Sequence, residues 1–271
     1  MRNTWVLTNI MSIDLSSFPC ESSGRGYMFA ADSPAGLFES KDRNIFISGT
    51  IHNPPPSTDK DNYISSISRV LDSPGSNSLL DLSGSFSLIQ LFKDSFTVHS
   101  DLFGINKFFV YNHDSDFIIS NNLHLIADNV RLAVSIRNCA IYSLLYHYTG
   151  GITAFKHVLH NTPSQLIEFN TEFGLCLSTY ADTYSCFQQS CLDPSIEDLS
   201  DCLLNVISSQ LEVADASKIS LSLTGGTDTR NLLALLLQVS PDLHAYTYGS
   251  PLSNDCIKAR QITEKLGVDH S

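Results

Sequence analysis

The sequence predicts two domains: a β-rich α+β domain in residues 1–190, and the beginning of an α/β domain with a parallel sheet in residues 195–271. Two observations support this division. Up to about Asp182, short apolar and β-branched runs alternate with polar turns, which is typical of antiparallel strands. After the polar break at Ser190 to Pro194, the pattern becomes strand, helix, strand, helix, the order that builds a parallel sheet.

The strands of the first domain are predicted from alternating apolar residues between turn residues. They are Trp5 to Ile10, Gly26 to Ala30, Asn44 to Thr50, Ser85 to Phe92, Phe96 to Ser100, Lys107 to Tyr111, Phe117 to Ser120, and a hairpin of Leu166 to Asn170 with Leu175 to Tyr180. Helical spacing occurs in Tyr63 to Leu71 and in Val130 to Tyr148. The second of these helices is expected to bury an apolar stripe made of Ile136, Ala140, Ile141, Leu144 and Leu145.

In the second domain, a helix is predicted to begin at Ser195, with acidic residues in its first turn. Its apolar stripe is expected to pack on the sheet that follows and consists of Ile196, Leu199, Leu203, Val206, Ile207 and Leu211. The remaining elements are strands at Lys218 to Thr224 and Leu243 to Tyr248, and helices at Arg230 to Val239 and Asp255 to Leu266. Gly267 is predicted to end the last helix.

The segment between the first of these strands and its helix has the composition of an anion site. Gly225 and Gly226 lack the Cβ atoms that keep a ligand off the backbone, so successive N–H groups can face one concavity at a helix N-terminus. Thr224 and Thr229 add hydroxyl donors. Asp228 tolerates a phosphate only with a cation between them, which favours Mg²⁺. The simpler alternative is that Gly-Gly only tightens a turn and Asp228 caps the helix. The loop has neither a Walker lysine nor a G-x-G-x-x-G pattern.

The six residues from Thr224 to Thr229 resemble the pyrophosphate loop Ser-Gly-Gly-x-Asp-Ser of ATP pyrophosphatases. The resemblance extends to the asparagine synthetase family over most of the chain. Residues 45–53 (IFISGTIHN) are similar to the family's N-G-E-I-Y-N segment, and residues 82–111 to L-x-G-x-F-A…R-D-x-x-G-x-K-P-L-Y-Y. Residues 255–267 resemble D-x-x-x-A-x-x-x-A-x-x-L-G, which precedes a histidine, here His270.

This resemblance implies an N-terminal two-sheet sandwich of the N-terminal-nucleophile hydrolase type, followed by an incomplete α/β parallel-sheet ATP-pyrophosphatase domain. It also implies sites for ATP and Mg²⁺. By position, the implied nucleotide-binding residues are Leu223 and Tyr248 beside the adenine, Thr224, Gly225, Gly226 and Thr229 as pyrophosphate donors, and Asp228 as the Mg²⁺ ligand. Asp255 is either near the phosphates or a helix cap. Arg230 either pairs with a substrate carboxylate or phosphate, or covers the helix surface.

Three positions depart from the family's glutaminase pattern. The family has a nucleophilic Cys after the initiator Met, whereas residue 2 here is Arg, which cannot perform thiol chemistry. Ser48 and Thr50 replace the Asn and Glu that the resemblance assigns to oxyanion support and glutamine binding. Cys20 is not terminal and has no matching motif, so it is interpreted as structural. We therefore expect that this chain does not hydrolyse glutamine.

Composition argues against several function classes. A net charge of −12 with only 16 Lys and Arg disfavours nucleic-acid binding. No window has the roughly 20 apolar residues of a spanning helix, and the N-terminus does not resemble a signal peptide, which predicts a cytoplasmic protein. The seven scattered cysteines are expected to be reduced thiols; Cys186 and Cys191 are close together but lack the second pair that zinc needs.

The resemblance implies an ATP-dependent, AMP-forming amide-bond ligase that adenylates a small-molecule or peptide carboxylate and does not hydrolyse glutamine. The alternative is a non-catalytic nucleotide-binding remnant. Two parallel strands cannot be covered on all sides by so few helices, so the sequence predicts a fragment, a homo-oligomer, or a second chain that completes the sheet. A tRNA-modifying sulfurtransferase is disfavoured because basic patches and a C-x-x-C are absent from the sequence.

Overall fold

The structure is a computed structural model of the 271-residue chain. It describes residues 4–10, 12–33, 36–39, 43–53, 60–72, 78–183, 193, 195–214, 218–239 and 242–271. Contacts within the chain divide it into two compact units, Met1–Ser190 and Cys191–Ser271.

The first unit contains two antiparallel sheets of six strands each. Its strands are β1 (Trp5–Thr8), β2 (Cys20–Gly24), β3 (Tyr27–Ala31), β4 (Leu37–Glu39), β5 (Asn44–Asn53), β6 (Ser83–Leu91), β7 (Ser95–Ser100), β8 (Phe109–His113), β9 (Asp116–Ser120), β10 (Val158–His160), β11 (Gln165–Asn170) and β12 (Gly174–Thr179). The first sheet has the order β10-β8-β9-β1-β3-β2, and the second has the order β12-β11-β7-β6-β5-β4. The β-rich character predicted for this part of the chain is confirmed.

One apolar core joins the two sheets. Trp5 and Phe29 of the first sheet belong to the same buried cluster as Phe46 and Phe96 of the second sheet. The ring of Phe96 lies centrally, because its centroid is 5.1 to 5.6 Å from the centroids of three other aromatic rings, those of Tyr27, Phe117 and Phe169. The sheets therefore form the two layers of a sandwich, and the residues that alternate outward are available to pack against helices.

Each outer face of the sandwich has its own smaller core. On the second sheet, helix α1 (Lys60–Asp72) contributes Ile67 to a cluster that also contains residues of β5 and β6. On the first sheet, helix α2 (Leu123–Asn129) contributes Ile126 to a cluster that contains residues of β1, β3 and β9. The predicted helix at Tyr63 to Leu71 corresponds to α1 and is confirmed.

A polar cluster interrupts the apolar outer face of the second sheet. Val98 belongs to the core between the sheets, so the next side chain, His99, points to the opposite face. His99 Nε2 is hydrogen-bonded to Gln90 Nε2 at 3.2 Å and to Thr97 Oγ1 at 3.0 Å, while its Nδ1 has no partner among the described residues. Burial lowers the pKa of His99 to about 4, so its imidazole is neutral at neutral pH.

The second unit contains a three-stranded parallel sheet with the order β13-β14-β15. Its elements are α4 (Ile196–Ala214), β13 (Ile219–Ser222), α5 (Thr227–Val239), β14 (Leu243–Tyr246), α6 (Asn254–Leu266) and β15 (Asp269–His270). Leu221, Leu233 and Ala259 belong to its buried core. The predicted parallel order is confirmed, and so is the helix end at Gly267, which adopts the left-handed conformation (φ 69°).

The helix predicted at Val130 to Tyr148 is wrong in its extent and in its burial. Backbone N–H groups of Ser135 and Lys156 donate to the carbonyls of Ala154 and Ala133, so residues 133–135 pair as an extended segment. Helix α3 (Ile136–Leu145) therefore begins only after Ser135, whose side chain caps it. No residue of α3 is buried, so the predicted buried stripe is wrong, and the side chain of Ile136 is 85% exposed.

The predicted stripe on α4 is only partly correct. Ile207 and Leu211 pack against the core of the second unit. The four apolar residues nearer the N-terminus are exposed, namely Ile196, Leu199, Leu203 and Val206. Strands β2, β4, β10 and β15 are not among the predicted strands, because Cys20–Gly24 is mostly polar and the other three have only two or three residues. Very short or polar segments carry no periodic signal, and sheet pairing alone defines them.

None of the helices in the described ranges has the length and apolar character needed to cross a bilayer. The cysteines described as free thiols are Cys139, Cys176, Cys202 and Cys256. The side chain of Cys20, and both Cys186 and Cys191, lie outside the described residues.

Candidate functional site

The candidate site is the turn between β13 and α5, at the carboxyl end of the parallel sheet. Here the strand ends at Ser222, and the helix begins at Thr227. The backbone N–H of Gly226 donates to Thr224 Oγ1 at 3.1 Å, and the N–H of Thr224 donates to Thr229 Oγ1 at 3.2 Å. The first N–H groups of any helix have no partner within the helix. The N–H groups of Thr224 and Gly226 are used within the loop, whereas those at the start of α5 can face an anion, which is the basis of an anion site.

The hydroxyl groups of the loop lie together. Thr224 Oγ1 and Thr229 Oγ1 are hydrogen-bonded at 3.1 Å, and Thr229 Oγ1 also donates to the Thr224 carbonyl at 3.3 Å. The structure thus brings together all four residues predicted to be pyrophosphate donors, namely Thr224, Gly225, Gly226 and Thr229. These contacts span at most five residues, so they follow from the local turn.

A carboxylate from another helix already contacts the loop. Asp255, in the first turn of α6, accepts a hydrogen bond at its Oδ1 from the N–H of Gly225, at 3.1 Å. The cap of α6 is Ser253, whose side chain accepts from the N–H of Cys256. Of the two roles left open for Asp255, helix capping belongs to Ser253. Asp255 contacts the loop, and its proximity to the phosphates stays a prediction.

Asp228 and Arg230 lie in the first turn of α5 with different surroundings. Asp228 is exposed, and its carboxylate has neither a hydrogen bond nor an ion pair with any of the described residues. Arg230 turns back on the loop, because its Nε donates to the Gly226 carbonyl at 3.2 Å and its Nη2 to Thr227 Oγ1 at 3.4 Å. Arg230 thus stabilises the loop backbone through these two hydrogen bonds.

The two residues predicted beside the adenine differ in exposure. The side chain of Leu223 is fully buried in the core of the second unit, so only its backbone faces the loop. Its carbonyl accepts a hydrogen bond from Thr247 Oγ1 at 2.7 Å, a contact with a residue that sequence reasoning did not single out. Tyr248 is 84% exposed, with its ring 5.2 Å from that of Tyr246. Its proximity to adenine stays a prediction.

The donor set of this loop fits a phosphate with a divalent cation. Amide and hydroxyl hydrogens suit phosphate oxygens, and the unpaired carboxylate of Asp228 suits Mg²⁺, which commonly uses one or two carboxylates together with substrate phosphates. Across the described ranges, no group of three or more His, Cys, Asp or Glu side chains is arranged to hold a metal by itself. Any Mg²⁺ at Asp228 would therefore depend on the nucleotide for further ligands.

A buried carboxylate holds the part of the first unit whose sequence resembles the family's glutaminase segments. Asp101 is 1% exposed and accepts hydrogen bonds from the backbone N–H groups of Phe103, Ile105 and Asn106, at 2.9 to 3.1 Å. The side-chain amide of Asn106 then donates to the Ser48 carbonyl at 2.8 Å. These contacts connect the loop after β7 with strand β5. Arg2 lies outside the described residues, as does the side chain of Asn53.

Beside Ser48, the backbone requires glycine. Gly49 has φ +98°, and a Cβ at this position would lie 2.2 Å from the Ser85 carbonyl oxygen and 2.2 Å from Asn106 Nδ2. The glycine that the resemblance matched in residues 45–53 is therefore explained by the close approach of β6, whether or not a substrate binds there.

The structure also contains a grouping that sequence reasoning did not find. His244 Nδ1 is hydrogen-bonded to Asp269 Oδ2 at 3.0 Å, and His244 Nε2 to Ser271 Oγ at 3.0 Å. The three residues lie on or next to the neighbouring parallel strands β14 and β15, and the Asp269 side chain is 85% exposed. The grouping joins the ends of these strands. The residues are up to 27 positions apart, so no local motif indicated it.

No protein-family model and no curated protein matches this sequence. Among solved structures, the glutamine phosphoribosylpyrophosphate amidotransferase from B. subtilis, complexed with ADP and GMP, is similar at a TM-score of 0.40 and 10% identity. The match covers 99% of this chain and 84% of that one. A structure described as the allosteric regulatory enzyme of purine biosynthesis is similar at the same TM-score and identity, covering 99% and 83%. We derive neither a family nor a function from similarities of this size.

Proposed function

We propose that this chain is an asparagine synthetase-like ligase that uses ATP to adenylate a substrate carboxylate and does not hydrolyse glutamine. The observation that carries the proposal is the turn from Thr224 to Thr229, in which a strand, two glycines, two facing hydroxyls and a helix N-terminus occur together. This arrangement matches the requirements of a pyrophosphate group. The resemblance of this motif to the loop of ATP pyrophosphatases favours ATP over other phosphate compounds as the ligand.

In this proposal, the residues of the chain position the phosphates and compensate their charge. The amides of Gly225 and Gly226 and the hydroxyls of Thr224 and Thr229 donate to the phosphate oxygens of ATP. Asp228 would hold Mg²⁺, which when bound would supply charge neutralisation for the pyrophosphate group. The substrate carboxylate attacks the α-phosphorus and pyrophosphate leaves, which gives an acyl-adenylate. An amine then attacks the acyl carbon, AMP leaves, and the amine nitrogen loses a proton to solvent. The partner of the chain is accordingly a small-molecule or peptide carboxylate.

The first unit is proposed to be an N-terminal-nucleophile-type amidotransferase domain without glutaminase activity. Arg2 stands where the family has its nucleophilic Cys, and Ser48 and Thr50 stand at two further site positions. The hydrogen-bond network of Asp101 and Asn106 supports a scaffold role, because it holds the backbone of the loop after β7 against strand β5.

One observation favours the second candidate, a nucleotide-binding protein that has no catalytic activity by itself. Such a protein either needs a second chain for catalysis or is a remnant that only binds nucleotide. The Gly225 N–H, which the proposed function requires for phosphate, is paired with the Asp255 carboxylate. A phosphate has to displace an anion from this position, which weakens binding. Substrate-dependent turnover separates the two candidates, because a binding protein retains ATP without releasing pyrophosphate.

The test is ATP–pyrophosphate exchange in the presence of Mg²⁺, across aspartate, other amino acids and a peptide carboxylate. We expect exchange that depends on one carboxylate, and Asp228→Ala is expected to reduce it by about a hundredfold or more, because a bound metal contributes several kcal/mol of charge stabilisation. Glu264→Ala is the matched control, since Glu264 is an exposed carboxylate on α6. Exchange that survives Asp228→Ala unchanged would contradict the assignment of this loop.

A further inference from the structure

The side chain of Lys258 lies against the candidate loop. Lys258 is three positions after Asp255 on α6, so both side chains are on the same face of the helix. A Cβ built on Gly225 would be 2.8 Å from Cδ of Lys258, 3.3 Å from its Cβ and 3.2 Å from Oδ1 of Asp255. The aliphatic part of Lys258 therefore passes directly over the backbone of Gly225, and any side chain at residue 225 would displace it.

The charge of Lys258 is uncompensated in the described part of the chain. No carboxylate there lies within 4.0 Å of its ammonium group, and Lys258 is exposed. The other cation beside the loop, Arg230, is turned toward the Gly226 carbonyl and the Thr227 hydroxyl. Lys258 is thus the cation that can extend its ammonium group past the glycines without breaking a hydrogen bond of the loop.

We propose that Lys258 is the phosphate-binding lysine of this site, supplied by α6 because the loop contains no lysine of its own. The inference rests on the proposed function and adds a residue that the loop motif does not include. When a nucleotide binds, a phosphate oxygen replaces Asp255 Oδ1 at the Gly225 N–H. The ammonium group of Lys258 then contacts the same phosphate group and compensates its charge.

This exchange explains why a carboxylate and a lysine lie together at the loop. Without nucleotide, the Asp255 carboxylate satisfies the Gly225 N–H, which is exposed at the surface. With nucleotide, the released carboxylate is one helical turn from Lys258, so it has a cationic neighbour on its own helix.

The inference is tested by calorimetric titration of the full chain with MgATP, pyrophosphate and adenosine. Lys258→Met keeps the aliphatic length and removes the charge. We expect it to weaken MgATP and pyrophosphate binding about tenfold, the effect of one charge-assisted hydrogen bond, with adenosine binding unchanged. Lys258→Arg, which keeps the positive charge, is expected to recover most of the affinity for MgATP and pyrophosphate. Lys265→Met, at an exposed lysine in the last turn of the same helix, is the matched control.

The outcomes distinguish this inference from the proposed function. If Lys258→Met binds MgATP as tightly as the unmodified chain, while Asp228→Ala binds it more weakly, Lys258 is not a phosphate ligand and the loop assignment stands. If the unmodified chain binds neither MgATP nor pyrophosphate, the nucleotide site itself is wrong and the inference falls with it. If MgATP binding depends on Lys258 but no carboxylate supports exchange, the inference stands and catalysis by this chain is disproved.

Discussion

Phe96→Ala is expected to lower the free energy of unfolding of the first unit by about 4 kcal/mol. The side chain is fully buried between the two sheets, and its ring contacts those of Tyr27, Phe117 and Phe169. Truncation removes apolar contacts from both layers and leaves a cavity that rings on neighbouring strands cannot fill without moving the backbone. Urea denaturation followed by tryptophan fluorescence measures the effect, because Trp5 is the only tryptophan of the chain and lies in the same core.

The matched control for this substitution is Phe173→Ala. Phe173 lies in the turn between β11 and β12 and is 85% exposed. Its truncation removes the same atoms without creating a cavity, and we expect a change within about 0.5 kcal/mol. Equal effects at the two positions would mean that the aromatic cluster does not join the two layers of the sandwich.

Acidification is expected to destabilise the first unit through His99. The pKa of His99 is lowered by burial to about 4, whereas its ordinary value is 6.5. Between these values the unfolded chain binds a proton that the folded chain does not, so stability falls as the pH is lowered. The contribution is complete above pH 6.5 and is lost by about pH 4, and it amounts to about 3 kcal/mol.

The contribution of His99 is separated from that of other groups by His99→Gln. Glutamine keeps a polar side chain next to Gln90 and Thr97 but does not titrate. The free energy of unfolding, measured from pH 7 to pH 4, should therefore fall about 3 kcal/mol less in the variant than in the unmodified chain. Parallel pH profiles for the two proteins would mean that the pKa of His99 is the same in the folded and unfolded chain, and the shift caused by burial would be wrong.

Much of the first unit follows from local patterns. Strands such as Phe96 to Ser100 alternate between residues that face the inter-sheet core and residues that face outward, and this alternation is visible in the sequence. Helix α3 shows where such patterns fail. Its apolar residues suggested a long buried helix, but pairing of residues 133–135 with residues 154–156 shortens it. The apolar stripe then remains exposed, because burial requires a neighbouring element that the helical period does not specify.

The candidate site was likewise predictable from the sequence only in part. The turn from Thr224 to Thr229 could be predicted, because its hydrogen bonds join residues at most five positions apart. The burial of Leu223 in the core and the exposure of Tyr248 could not, since both depend on which face of the sheet the helices cover.

The sequence by itself determined the antiparallel first part and the parallel second part of the chain, the glycine turn, and the presence of Arg at residue 2. These features depend on residue identity and on periodicities of two to four residues. Only the tertiary structure placed Asp255 and Lys258 beside Gly225, about thirty residues earlier in the chain. Their approach requires that β14 pair in parallel with β13, so that the helix following each strand begins at the same edge of the sheet.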